Sequence, residues 1–212
     1  MRKAVLIIIF ICTSLTGLLA QSITEVITAM PGNIIGIMDS AQKDLLVSNP
    51  EDTTELIVVL NPYSSLKRQV MSDDYLLVKT SDAGTTQVKL LPLVNDSKII
   101  CVVKTVCGNG VCDSQMQFYT TKWMPITGTD LFPAKTKEWF IKADVDRNDQ
   151  NFKNASTAID MDPMRITLSP NDLSLTVDFS IKGYLSEEDY KKVEPYLTEG
   201  PKVFLWDKIS FK

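Results

Sequence analysis

The sequence contains no histidine among its 212 residues. Histidine is the general base of Ser-His-Asp and Cys-His nucleophilic sites, and it is a ligand in HExxH zinc sites and in most protein copper and iron centres. Its absence excludes these classes of site. A catalytic role would have to rest on carboxylate, thiol, lysine or tyrosine chemistry.

Long apolar runs and excess basic charge are also missing beyond the N-terminus. No later stretch approaches the roughly 20 consecutive apolar residues that a membrane-spanning helix needs. The formal net charge is −4, which argues against a nucleic-acid partner. These observations predict a mature chain without an integral membrane segment.

The N-terminus has the three-part pattern of a secretory signal peptide. Arg2 and Lys3 precede the apolar run of residues 4–12, and a looser segment leads to Ala20 and the polar Gln21. This order predicts cleavage between Ala20 and Gln21, and export of the rest of the chain. The alternative is an uncleaved anchor, for which the apolar run is short.

Residues 21–128 show the pattern of a helix followed by an antiparallel meander. Ser22 and Glu25 form an S-x-x-E capping box, and Asp39 is placed to cap a second short helix. Apolar runs and period-two alternation, separated by polar turns, then predict strands over 56–60, 66–71, 75–80, 86–91, 99–106 and 114–120.

Residues 129–212 predict a smaller lobe of helix, hairpin, helix and strand. The segment 130–159 is expected to be helical, 164–168 and 173–181 to form a hairpin, Ser186 to cap a helix, and 203–206 to be a strand. The fold class is therefore α+β, an antiparallel β-meander with flanking helices followed by this lobe. A single continuous domain is the alternative to two.

Two cysteines flank a short reversal of the chain. Cys107 and Cys112 are separated by Gly-Asn-Gly-Val, so they stand on facing ends of a hairpin, and an exported chain favours a disulfide between them. A reduced pair, or metal or redox chemistry, is the alternative, although a zinc site would lack a fourth ligand. Cys101, inside an apolar strand, is expected to be a buried free thiol.

An acidic run resembles part of a calcium-binding loop. Asp144, Asp146 and Asn148 supply oxygen ligands at alternate positions. Asp149 then stands where such a loop has glycine, and Ala155 stands where it has the closing glutamate. The run is therefore interpreted as a solvated helix junction, with a calcium-stabilised interaction module as the alternative; no metal or other cofactor is predicted.

Pairs of carboxylates could serve glycan hydrolysis, which needs two acids at a defined separation. Nothing in their spacing selects a pair, and turns and helix starts favour acids for structural reasons. Trp123 and Trp206 could stack on a sugar, although core packing is the commoner role. No catalytic residue is predicted from the available acids, which are Asp73, Asp74, Asp160, Asp162, Glu187 and Glu188.

Several segments of the mature chain resemble a known family. These are residues 73–92, 99–108, 118–125, 184–189 and 195–197, and they resemble an exported family of unknown function restricted to Bacteroidales, domain-of-unknown-function family 3256. The resemblance implies the envelope of a Gram-negative bacterium, either the periplasm or the cell surface. It implies no catalytic residue.

The same resemblance suggests O-glycosylation at short Asp-Ser/Thr motifs, which places candidate sites at Ser40 and Thr53. The function favoured at this level is non-enzymatic: binding of an envelope protein or glycan that the sequence does not identify, or a structural role. The alternatives are a carboxylate-dependent glycan-acting enzyme and the calcium-stabilised module.

Overall fold

The computed structural model describes residues 21–49 and 55–212 and has an α+β fold. A six-stranded antiparallel sheet has its strands in chain order, and a three-stranded antiparallel sheet follows. The large sheet consists of Leu56–Asn61 (β1), Ser64–Met71 (β2), Tyr75–Lys79 (β3), Gly84–Pro92 (β4), Lys98–Gly108 (β5) and Val111–Thr120 (β6). The small sheet consists of Met164–Leu168 (β7), Ser174–Phe179 (β8) and Lys202–Leu205 (β9). The predicted meander and fold class are confirmed.

The helices are short. They are Ile23–Thr28 (α1), Ser40–Leu46 (α2), Gln150–Ser156 (α3), Ile181–Tyr184 (α4) and Glu187–Val193 (α5), with 3₁₀ turns at Lys137–Phe140 and Glu194–Tyr196. The predicted capping box at Ser22 and Glu25 is present, and Asp39 and Gln42 form another at the start of α2. Since an isolated helix of this length is unstable in water, tertiary packing must stabilise these elements. Helices α1 and α2 pack on the large sheet, whereas α3, α4 and α5 pack together in a separate hydrophobic cluster.

The prediction that residues 130–159 are helical is wrong. Only Lys137–Phe140 and Gln150–Ser156 are helical there. The aromatic residues of the segment make tertiary contacts instead. The centroid of the Phe132 ring lies 5.7 Å from that of Trp139 and 5.2 Å from that of Phe204. Burial of these rings fixes an irregular loop, and it outweighs a local pattern with few helical repeats.

Strands β4 and β5 are buried on both faces of the large sheet. On β5, Ile100 and Val102 point into a cluster with α1 and α2, whereas Ile99, Cys101 and Val103 point into a second cluster with the small sheet. The domain boundary expected at residues 128–129 falls in a loop. Residues from both sides of it share this second cluster, so one core joins the meander to the small sheet.

The β5–β6 hairpin closes through a two-residue turn and a disulfide. Gly108 pairs with Val111, so Asn109 and Gly110 form the turn, and both have positive φ (49° and 81°). This is the turn geometry that Asn-Gly favours. Cys107 and Cys112 are bonded to each other, which confirms the predicted disulfide, and Cys101 is free and buried. Burial raises the pKa of the Cys101 thiol.

Replacing both hairpin cysteines with serine should leave a folded but less stable protein. The bridge closes a loop of only a few residues, so its loss should cost about 2 kcal/mol of unfolding free energy. For a chain of this size, that corresponds to a melting temperature lower by about 4–8 °C. Thiol counting on denatured, unmutated protein consisting of residues 21–212 should find one free thiol, and three would contradict the disulfide.

Candidate binding groove

Strand β7 lies at the edge of the small sheet, yet its outward backbone N–H groups are all bonded. Their acceptors are side chains of the large sheet rather than another strand. Such side-chain bonds fix the two sheets against each other and satisfy groups that would otherwise be buried without partners. The three bonds are Met164 N to Asp113 Oδ1 at 3.1 Å, Ile166 N to Ser114 Oγ at 2.9 Å and Leu168 N to Gln87 Oε1 at 2.8 Å.

Gln87 is the most connected of these side chains. It is buried, its Nε2 donates to the carbonyl oxygen of Ile166 at 3.0 Å, and its Oε1 also accepts from the Tyr75 hydroxyl at 3.1 Å. Burial raises the pKa of Tyr75 to about 12, so this hydroxyl remains a proton donor at neutral pH. The amide of Gln87 thus uses both its donor and its acceptor between the sheets.

Asp113 and Lys135 extend the row of polar contacts between the two sheets, the seam, toward the surface. Lys135 Nζ lies 2.8 Å from Asp113 Oδ1 and 2.8 Å from the carbonyl oxygen of Ser114. Burial acts to raise the pKa of Asp113, but Lys135 and the N–H of Met164 outweigh it and hold this pKa below its usual value. Because the folded pKa is lowered, the contribution of this carboxylate to stability is present at neutral pH. It is lost as the pH falls through that lowered value.

Next to this ion pair, strand β6 and the loop 129–135 enclose an open groove of about 520 Å³. The ion pair stands at one end, and Gln115, Gln117 and Thr129 supply further polar groups. Ser114 is also part of the lining, and the remaining lining residues are apolar: Met116, Phe118, Phe132, Pro133, Ala134 and Ile166. The groove thus combines apolar and polar lining in about equal parts, and a pocket that offers both apolar surface and fixed polar groups is a common form of binding site.

The wall of the groove includes an unpaired stretch of strand edge. From the pair Gly108–Val111 at the turn, hydrogen-bonded and non-hydrogen-bonded pairs alternate along the β5–β6 ladder. The even-numbered residues of β6 belong to the non-hydrogen-bonded pairs, so their backbone N–H and C=O groups point away from β5. No described residue bonds the outward N–H or C=O of Met116. Its neighbours along the edge are occupied: Ser114 O by Lys135, Phe118 O by the N–H of Ile126 (2.9 Å), and Thr120 N by the carbonyl of Met124 (2.9 Å).

The carboxylates considered for glycan chemistry take part in separate local contacts. Asp73 is exposed beside Asp74, and the others are engaged locally, so their charges serve turns, caps and ion pairs. The contacts are Asp74–Lys89 (3.0 Å), Asp160 with the Tyr184 hydroxyl (2.9 Å), Asp162 with the N–H of Lys137 (3.1 Å), Glu187–Lys191 (2.7 Å) and Glu188–Lys192 (2.8 Å).

The acidic run after residue 143 forms a helix junction. Asp149 caps α3 by accepting from the N–H groups of Asn151 and Phe152, and Asp146 accepts from the N–H of Asn148. Within residues 21–49 and 55–212, no group of three or more histidine, cysteine, aspartate or glutamate side chains could hold a metal ion. The interpretation as a solvated junction fits this local bonding.

The two tryptophans considered for sugar stacking are core residues, which is the role that the sequence favoured. Trp123 and Trp206 are 8% and 5% exposed. Their indole N–H groups donate to the carbonyls of Val26 at 2.8 Å and Pro92 at 2.7 Å. Neither ring is available to a ligand.

The remaining predicted positions lie at the surface or outside the described residues. Ser40 is exposed at the first turn of α2, and Gln21 is exposed at the start of the described chain. Ala20, the rest of the signal-peptide segment and Thr53 are outside the described residues, so cleavage and glycosylation remain predictions. None of the helices in the described parts of the chain is long and apolar enough to cross a membrane.

Comparison with known proteins identifies a family and a solved structure that match most of the chain. Residues 15–211 match the model of a family described as a protein of unknown function, DUF3256. A domain of an uncharacterized protein from Porphyromonas gingivalis W83 has a similar fold. The TM-score is 0.77 at 22% identity, covering 89% of this chain and 96% of that one. No curated protein matches.

Proposed function

The chain belongs to the DUF3256 family of proteins of unknown function, and we propose that it is an exported, non-enzymatic binding protein of the cell envelope. We further propose that the groove along β6 binds a short extended peptide. The signal-peptide pattern supports export, to the periplasm or the cell surface of a Gram-negative bacterium. The restriction of the family to Bacteroidales stays a prediction.

The open edge of β6 at Met116 is the observation that carries the peptide proposal. One residue of an extended peptide offers an N–H and a C=O at the spacing that matches the outward groups of Met116. Strand addition of this kind takes affinity from main-chain hydrogen bonds and specificity from alternate side chains. Phe118 and Phe132 line the groove where such a side chain would enter.

The two ends of the groove define a short ligand. Ile126 already bonds Phe118 O at one end, and Lys135 bonds Ser114 O at the other. An added segment therefore pairs with the single residue Met116 before it meets these groups. An ammonium has three donors, so Lys135 keeps one beyond its bonds to Asp113 and Ser114, which suits a carbonyl of the peptide.

The state of the acids supports a binding role over hydrolysis. A two-acid hydrolase needs one carboxyl with a raised pKa facing an ionised partner. The groove contains a single carboxylate, Asp113, whose pKa is lowered and which is paired with Lys135. That residue is held as an anion rather than prepared as an acid.

Short random peptides displayed on phage and selected against the mature chain should bind in the groove. Met116→Pro removes the outward N–H while leaving the ladder bonds to β5 intact, since proline is tolerated where the N–H faces away from the ladder. Loss of that bond should weaken the selected peptides about tenfold. Met116→Leu keeps the backbone donor and should stay within a few-fold of the unmutated chain.

Fluorescence anisotropy measures the affinities, circular dichroism checks that the proline variant is folded, and amide chemical shifts locate the peptide. Selected peptides that leave the Met116 and Phe132 signals unmoved, or that bind Met116→Pro undiminished, would refute the proposal. N-acetylglucosamine oligomers form a separate arm, because an acetamido group carries the same donor–acceptor pair. Binding of these sugars in place of peptides would assign the groove to glycans.

A further inference from the structure

We propose that two copies of the mature chain associate through the outer edge of β1, which would join their large sheets into one antiparallel sheet across a two-fold axis. Strand β1 is the terminal strand of the six-stranded sheet, and no described strand pairs with its outer side. The proposal concerns the opposite edge of the sheet from the groove and does not depend on peptide binding there.

The other sheet edges carry bonding partners. Lys135 and the segment 124–126 occupy parts of β6, and large-sheet side chains bond β7. On β9, the N–H and C=O of Leu205 exchange hydrogen bonds with Lys212 at 2.8 and 3.0 Å. Within the described residues, one side chain hydrogen-bonds the outer backbone of β1: Gln42 Nε2 donates to Val59 O at 2.8 Å and to Leu60 O at 3.3 Å.

Strand β1 has one of the usual protections of a free edge, a β-bulge between Val59 and Asn61, but its composition lacks the others. Proteins block exposed edges with lysine, proline or covering segments, because unpaired strands recruit one another. The strand Leu-Ile-Val-Val-Leu-Asn has neither a charged residue nor a proline. Ile57 and Val59 are 56% and 61% exposed, so the strand presents aliphatic side chains as well as backbone groups.

A second copy fits this edge because the strand is self-complementary. An antiparallel pair centred on Val58 places Ile57 opposite Val59 of the other copy and keeps both residues on their own face of the sheet. The β-bulge between Val59 and Asn61 ends the regular register there, so Leu56 comes near the bulged Leu60 of the other copy. Leu56 and Leu60 lie at the border of the cluster under α1 and α2. Pairing would therefore continue that core across the axis.

The charges next to β1 do not oppose such a pair. Glu55, the residue before the strand, forms an ion pair with Lys67 of the neighbouring strand, so this charge is neutralised within each copy. With the axis at Val58, Glu55 comes next to the bulged end of β1 of the other copy, whose last residue, Asn61, is uncharged. The Gln42 contact remains compatible with pairing, because a carbonyl oxygen has two lone pairs.

Sedimentation of the mature chain should show a dimer that dissociates on dilution. Val59→Lys places a charge in the pair without entering the core and should reduce the association constant at least tenfold. Val203→Lys is the matched control: that residue is similarly exposed, at 55%, on β9, and its variant should associate like the unmutated chain. A chain that stays monomeric at about 100 µM, or equal effects of the two lysines, would overturn the proposal.

Cysteine cross-linking tests the register independently. Facing Cβ atoms in an antiparallel pair lie about 4.5–5.5 Å apart, close enough for a disulfide. A mixture of Ile57→Cys and Val59→Cys chains should therefore form a cross-linked heterodimer under mild oxidation, while each variant alone should remain largely uncrosslinked. Cys101 is fully buried and should not interfere. Efficient 57–57 or 59–59 cross-links would refute the two-fold at Val58.

Discussion

Replacing Gln87 with leucine is expected to lower the free energy of unfolding by about 3–5 kcal/mol, the largest effect that we predict for a single polar side chain. The substitution leaves three buried groups without their present partner: the N–H of Leu168, the carbonyl of Ile166 and the hydroxyl of Tyr75. Each unsatisfied group costs about 1–3 kcal/mol. The leucine side chain recovers part of this loss by burying apolar surface.

Urea denaturation of residues 21–212 measures the effect. Gln115→Leu is the control, because Gln115 is an exposed glutamine of the same large sheet and its change should stay within about 0.5 kcal/mol. If Gln87→Leu were equally mild, the hydrogen bonds between the sheets would have to be replaced by water or by rearrangement of β7. Amide exchange at Leu168 would detect either event.

Removing the carboxylate of Asp74 should destabilise the fold by about 2–4 kcal/mol, because it leaves a buried ammonium without its counter-ion. The side chain of Lys89 is 3% exposed, and its Nζ lies 3.0 Å from Asp74 and 3.4 Å from the carbonyl of Pro170. Asp74 is itself partly exposed, which places the expected cost at the lower end of values for buried pairs.

Adding Lys89→Met to Asp74→Ala tests whether the unpaired charge of Lys89 causes the loss of stability. Methionine fills similar space without a charge, so the double variant should recover most of the lost stability in the same urea titration. Asp82→Ala removes an exposed carboxylate 3.6 Å from Lys79 and should change little. A double variant no more stable than Asp74→Ala alone would show that the charge is not the cause.

Local patterns were sufficient to predict most of the meander. Period-two alternation and polar turns identified its strands to within a few residues, because each strand pairs with its neighbour in the chain and the turns are short. The caps at Ser22 and Asp39 and the disulfide beside the Asn-Gly turn depend on residues at most a few positions apart, and the structure contains all of them.

Features that depend on distant residues could not be derived in this way. The groove brings β6 beside a loop and beside Ile166, about fifty positions along the chain, and the irregular path of residues 130–149 is decided by aromatic contacts with β9 and Phe211. The sequence did contain one signal for the seam: Gln87 and Ser114 are polar residues at buried strand positions, where a partner must exist.

Synthesis delivers all six strands of the large sheet before any strand of the small one. Because these strands pair with their chain neighbours, the meander can assemble from local hairpins, and the face that bears Cys101 then stays uncovered until β7 to β9 arrive. During this interval, the extended conformation of β5 keeps Cys101 from forming a disulfide with Cys107. Cys101 and Cys107 are held about 20 Å apart along β5, far beyond disulfide reach, whereas Cys107 and Cys112 face each other with a Cα–Cα distance of 4.1 Å. The geometry of β5 and β6 therefore favours the Cys107–Cys112 disulfide over any disulfide that involves Cys101, and the small sheet buries the Cys101 thiol in the finished fold.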